Sequence, residues 1–97
     1  MGIRALIKIL HSYYFKHNIH TIAGILNRYA PECDHNNTLQ YISYVCYRMS
    51  MKSNDNFTFN ILNLEILVKS ICWYESNTRI STVIFRAVYS SLNYPLT

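Results

Sequence analysis

A chain of 97 residues and 11.4 kDa has room for one domain of ordinary size. Hydrophobic residues make up 51 %, which argues against intrinsic disorder, while only 14 % are charged against about 25 % in an average domain. The net charge of +4 comes from nine basic and five acidic residues spread along the chain. That spread disfavours nucleic acid as a partner, since nucleic-acid domains cluster their Lys and Arg.

Further classes fall away on motifs. No apolar run approaches the roughly 20 residues needed to span a bilayer, so no membrane span is expected. The start, Met1-Gly2-Ile3-Arg4, has no small-residue cleavage site after an apolar stretch, and no signal peptide is recognised. Cys33, Cys46 and Cys72 are odd in number and lack framework spacing, so free thiols in a reducing compartment are expected. No phosphate-cradling Gly loop or dinucleotide fingerprint is present, and no cofactor is expected.

The first helix is predicted from about Gly2 to His17. Ile3, Leu6, Ile7, Ile9, Leu10, Tyr13 and Tyr14 fill an arc of about 160° on the helical wheel. Arg4, Lys8, His11 and Lys16 lie opposite, with Phe15 among them under a neighbouring loop. Asn18 suits the left-handed residue that ends this helix. Thr21 is placed to cap a second helix, Ile22 to Tyr29, which Pro31 stops.

Residues 32–36 are polar and read as a surface loop. Asn37 stands three residues before Gln40, a capping-box-like start for a third helix reaching about Met49. Its apolar positions are Leu39, Ile42, Val45, Cys46 and Met49, with Tyr44 and Tyr47 on the wet side. Residues 50–60 read as a long irregular connection, with a short strand at 57–59 as an alternative.

The fourth helix, about Ile61 to Glu75, has two apolar faces. Ile61, Leu64, Leu67, Val68, Ile71 and Cys72 form the main one. Leu62, Ile66 and Trp73 form a second, almost opposite. The last helix is predicted from about Arg79 to Asn93, capped by Asn77 or Thr78 and stopped by Pro95. Its polar strip is only Arg79, Thr82, Arg86, Ser90 and Asn93, so its apolar arc spans about 240°. These elements make an all-α fold, a small bundle of about five helices forming one domain over 1–97. Two of the helices carry more apolar surface than a small bundle readily hides, so either these helices are central or the chain associates with itself or another protein.

The first half also resembles a family of phage and prophage virion structural proteins of gut-type bacteria, some of them suspected of cell-wall activity. The resemblance is carried by Gly2-Ile3-Arg4-Ala5, Tyr14, His17, Thr21-Ile22, Ile25 and Asn27-Arg28-Tyr29-Ala30-Pro31. It continues in Asn36-Asn37-Thr38 with Tyr41-Ile42, and echoes at Leu67-Val68-Lys69 and Glu75. Family members carry a segment rich in Asn, Pro and Gly ahead of the Gly-Ile-Arg-Ala element. Here the chain starts at the element itself, so the resemblance implies a truncated member of a longer family. It also implies a location in the cytoplasm or the phage particle.

Candidate chemistry is sparse. Glycan hydrolysis needs a proton donor of raised pKa, often with a second carboxylate about 5–10 Å away. Glu32 and Asp34 share a polar loop where solvation leaves them ordinary. Glu75, beside Trp73 and Tyr74, is the one weak catalytic candidate, with pairing to Arg79 as its plain structural alternative. His17, His20, Cys33 and His35 lack familiar zinc spacing, so no metal site is expected. Glu32 and Asp34 disfavour a Cys33 thiolate, while Cys46 and Cys72 read as small core residues.

Arg4, Lys8 and His11 form a basic ridge continuing to Phe15. Leu62, Ile66, Trp73, Tyr44 and Tyr47 are the candidate interaction residues, for a protein partner or a second copy, with glycan as the other option. The leading functional expectation is a non-enzymatic helical interaction or structural module of prophage or mobile-element origin. The alternative is a remnant or fragment of a lysozyme-like protein acting on peptidoglycan. An active enzyme is the less favoured outcome.

Overall fold

The computed structural model describes residues 2–94. Five α-helices follow in chain order: α1 (Ile3–His11), α2 (Ile22–Tyr29), α3 (Thr38–Met49), α4 (Ile61–Ser76) and α5 (Thr82–Ser91). The fold is therefore an all-α small bundle. α3 packs on α4 and on α2, while α1 lies against α4 and α5. Ile7, Leu10, Ile22, Ile25, Leu26, Val45, Leu67, Val68 and Phe85 are wholly shielded from solvent and form the centre of the core. Each such side chain contributes about 1.5–3 kcal/mol relative to exposure.

Local signals fix most of the helix ends. The Thr21 hydroxyl accepts the Gly24 N–H at 3.0 Å, and the Asn37 carbonyl oxygen accepts the Gln40 N–H at 3.2 Å. Each satisfies one of the orphan donors of a helix start. Asn60 does the same for Asn63 at 2.8 Å. Asn18 closes the first helical segment at φ 55°, and Ser50 and Asn77 close α3 and α4 in the same left-handed conformation. At Ser50 the two bonds of a Schellman closure are present, from the Ser50 N–H to the Tyr47 carbonyl and from Met51 to Cys46.

The first helix departs from its predicted form. Regular α-helix ends at His11, and Ser12–Lys16 is a π-helical stretch. The wider turn lets Tyr14 and Phe15, adjacent in sequence, both rest on the Phe59 ring, with centroids at 5.2 and 5.3 Å. Tyr14 also donates its hydroxyl hydrogen to the Phe57 carbonyl at 2.8 Å. Phe59 comes from the 50–60 connection, so that loop does cover one side of Phe15. The strand considered at 57–59 is reduced to one antiparallel bridge between Thr21 and Asn56, flanked by the Phe57 N–H bonding the His20 carbonyl. Residues 32–36, expected as plain loop, contain a 3-10 turn at Glu32–Asp34.

Two helix assignments are corrected. Leu39, placed on the apolar stripe of α3, is 77 % exposed, and Tyr41 is buried in its stead at 1 %. Tyr41 stacks on Tyr74 of α4 at 4.0 Å, a contact a one-helix wheel cannot register. α5 begins three residues later than expected because Asn77 is used to close α4. Ser81 provides the cap, accepting the Ile84 N–H at 3.1 Å. The proposed stop at Pro95 lies outside the described residues. Only Phe85 and Tyr89 of α5 are buried, so Val83 and Ile84 leave much of its wide apolar arc in solvent.

Candidate functional site

The second stripe of α4 lies on the face of the helix turned away from the core. Leu62, Ile66, Lys69 and Trp73 follow one another at intervals of four, three and four residues, so they form one ridge about 16 Å long. Leu62 is 62 % exposed and Ile66 is exposed beside it. Trp73 is half-buried, and the guanidinium of Arg79 lies 5.2 Å from the centre of its ring. The 50–60 connection is hydrogen-bonded to His20 and Ala23, to Cys46 of α3 and to Asn63 and Leu64 at the start of α4.

At the C-terminal half of the ridge a groove of about 410 Å³ opens between the end of α3 and the α4–α5 link. It is lined by Arg48, Lys69, Trp73, Thr78, Arg79 and Ile80. Arg48 donates to the Tyr44 hydroxyl at 2.7 Å and lies over the Tyr44 ring at 5.8 Å. Both guanidinium groups thus lie within cation–π reach of an aromatic ring, and each has further N–H groups with which to meet an acceptor. No carboxylate lines this groove.

Lys69 is the exception among these cations. Its ammonium bonds Glu65 at 2.8 Å and Thr82 at 2.9 Å. Glu65 is buried and also accepts the Thr82 hydroxyl, with Arg86 at 3.8 Å. Burial alone would raise the Glu65 pKa. The hydrogen bonds from Lys69 and Thr82 and the charges of Lys69 and Arg86 outweigh it, and the carboxyl is held below its ordinary value. Glu65 thus clamps α4 to α5.

The other candidates are scattered. Tyr47 is 80 % exposed, as its wheel position implied. Tyr44 is not on the wet side: it is half-buried, tilted on Tyr74 at 5.4 Å, because the α3–α4 contact is wider than the stripe of α3. Glu75 is exposed on the far side of α4 and borders a separate cavity of about 420 Å³ with Tyr29, Asn36 and Cys72, among others. No second carboxylate lines that cavity. Glu65 is ten residues away along the helix, about 15 Å.

The basic ridge of α1 is broken up by tertiary contacts. Arg4 donates to the Ser91 hydroxyl at 2.8 Å, Lys8 stays exposed, and His11 turns into an aromatic cluster. The His11 ring stacks on Tyr94 at 4.1 Å and meets Phe59 edge-on at 5.5 Å. Burial there lowers its pKa, so His11 does not serve as a cation beside Arg4 and Lys8.

Cys46 and Cys72 are half-buried with pKa values pushed up by burial, and Cys33 is exposed. Among the described residues no group of three or more His, Cys, Asp or Glu is placed to hold a metal ion. No helix among them is long and apolar enough to cross a membrane.

Leu62, Ile66 and Trp73 share one ridge of α4, as their spacing implied. Sequence reasoning missed Arg48, Lys69 and Arg79 as their neighbours. The four-residue and seven-residue steps from Lys69 to Trp73 and Leu62 were a usable signal for Lys69. Arg48 joins only through the packing of α3 on α4.

The chain is similar to Protein P5 of Pseudoalteromonas phage PM2, with 40 % identity over 53 residues. The match takes in 55 % of this chain and 32 % of that protein, so the chain spans about a third of the length of the relative it matches. No protein-family model matches the chain, and no solved structure does.

Proposed function

We propose that this chain is a non-enzymatic helical interaction module of phage or mobile-element origin, serving in the phage particle or in the cytoplasm of its host. The observation that carries the reading is the α4 ridge, where Leu62 and Ile66 stay in solvent on a helix whose opposite face is core. Large apolar side chains grouped on a surface mark interaction sites. Val83 and Ile84 on α5 add further uncovered apolar surface. The similarity to a phage protein supports the origin.

The test is co-expression with the products of neighbouring reading frames, followed by co-purification and a solution mass. A complex or a homo-oligomer is expected, and Leu62→Glu with Ile66→Glu should abolish it while the circular dichroism spectrum is kept. A strict monomer that co-purifies with none of them would overturn the reading.

The wall-acting alternative rests on Glu75, which stands exposed with no second acid lining its cavity. The second carboxylate that glycan hydrolysis often uses is not among the residues lining that cavity. Purified peptidoglycan should stay turbid when the protein is added. Clearing that vanishes in Glu75→Gln would promote this alternative.

A further inference from the structure

We infer that the groove at Arg48, Trp73 and Arg79, together with the Leu62–Ile66 end of the same ridge, receives an acidic amphipathic segment of a partner protein. This inference rests on the interaction-module reading and names the chemistry of the partner. The ridge is polarised along its length. Its N-terminal half is apolar, and its C-terminal half is cationic with one indole. A complementary segment therefore carries aliphatic side chains toward one end and carboxylates toward the other, one helical turn apart, over about 16 Å.

Glu65 already occupies Lys69, so the cations open to a partner are Arg48 and Arg79. Among the described residues neither forms a salt bridge within the chain. Each guanidinium is held near a ring, Arg48 also by its bond to the Tyr44 hydroxyl, so less rotamer freedom is lost when a carboxylate is met. The absence of acids in the groove lining means that an incoming carboxylate meets no like charge there.

A nucleic acid would fit this surface poorly. It needs a row of cations tracking phosphates, and here two free arginines are followed by exposed Leu62 and Ile66. Apolar positions at the other end of one ridge are the signature of a peptide helix seated in a groove.

Trp73 is the sole tryptophan of the chain, so its fluorescence reports the groove directly. The full chain is titrated with a synthetic helix that places two leucines one turn apart ahead of two glutamates one turn apart. The same helix with glutamines, and oligothymidylate, serve as comparisons. The glutamate helix should perturb Trp73 and bind about tenfold more tightly than the glutamine helix, with affinity falling as salt rises. Arg48→Gln and Arg79→Gln should each erase most of that preference while melting as the wild type does. Arg79→Lys should restore part of it.

Equal binding of the two helices, tighter binding of oligothymidylate, or no response at Trp73 would overturn the inference. A partner complex that survives Arg48→Gln with Arg79→Gln, yet is lost in Leu62→Glu, would sink this inference alone and leave the interaction reading standing.

Discussion

Thr82, the first residue of α5, donates its hydroxyl hydrogen to the Glu65 carboxylate of α4 at 2.6 Å. The contact spans seventeen residues of sequence and ties the start of the last helix to the middle of the one before it. Lys69 donates to both partners, and Arg86 completes the set from the next turn of α5. A buried carboxylate is tolerated at this junction because its oxygens are satisfied from both helices.

Glu65 gives the fold an acid-sensitive point. Its folded pKa is depressed, so its stabilising contribution is fully present above the unfolded value of about 4.3 and is lost as the pH falls through the folded value. Chemical denaturation of Glu65→Gln should show a shallower loss of stability below about pH 4.3 than the wild type does. Thr82→Val should cost about 1–2 kcal/mol at neutral pH by removing the donor. Parallel curves for wild type and Glu65→Gln across the acid range would mean that the clamp does not hold in solution.

Tyr41 presents the opposite case. Its hydroxyl is buried with no hydrogen bond of good geometry, and burial first, then the charge of Glu75 and a weak hydrogen bond to that carboxylate, push its pKa far above the ordinary phenol value. An unsatisfied buried polar group costs about 1–3 kcal/mol. Tyr41→Phe keeps the ring stacked on Tyr74 and should raise the melting midpoint, by about 1 kcal/mol of added stability. A loss of similar size would reveal a partner for the hydroxyl.

Gly24 lies within α2, where Ala is normally better by about 1 kcal/mol. Here a Cβ would come within 2.6 Å of Ile19 Cγ2 and 3.1 Å of the Thr21 cap oxygen. Ile19 is β-branched and stiff, so the clash is not easily relieved. Gly24→Ala should therefore destabilise, by about 1–3 kcal/mol, as overpacked sites do. A higher melting midpoint would show that residue 19 moves aside without strain.

Asn37→Ala should cost about 0.5–2 kcal/mol through loss of the cap to Gln40. Thr38 is already the first helical residue, and its hydroxyl is directed to the Ala30 carbonyl at 2.6 Å, so it does not stand at the cap position. An unchanged melting midpoint would count against the Asn37 cap.

The sequence by itself determined what is decided within a few residues. The all-α class followed from apolar spacing and the scarcity of Gly and Pro. The ends of α2, the caps at Thr21 and Asn37 and the left-handed Asn18 followed from hydrogen bonds and backbone preferences that act over one turn. The ridge of exposed Leu62 and Ile66 with half-buried Trp73 was legible because a helix repeats its face at fixed intervals. Tertiary structure decided the rest. It placed Tyr41 inside and Leu39 outside, because α4 offers Tyr74 as a stacking partner. It drew His11 into an aromatic cluster built from Phe59 and Tyr94. It moved the start of α5 to Ser81, since Asn77 was needed to close α4. The groove belongs to the same class: Arg48 stands more than twenty residues before Lys69 and Trp73, and only the packing of α3 on α4 brings their charges and ring to one surface.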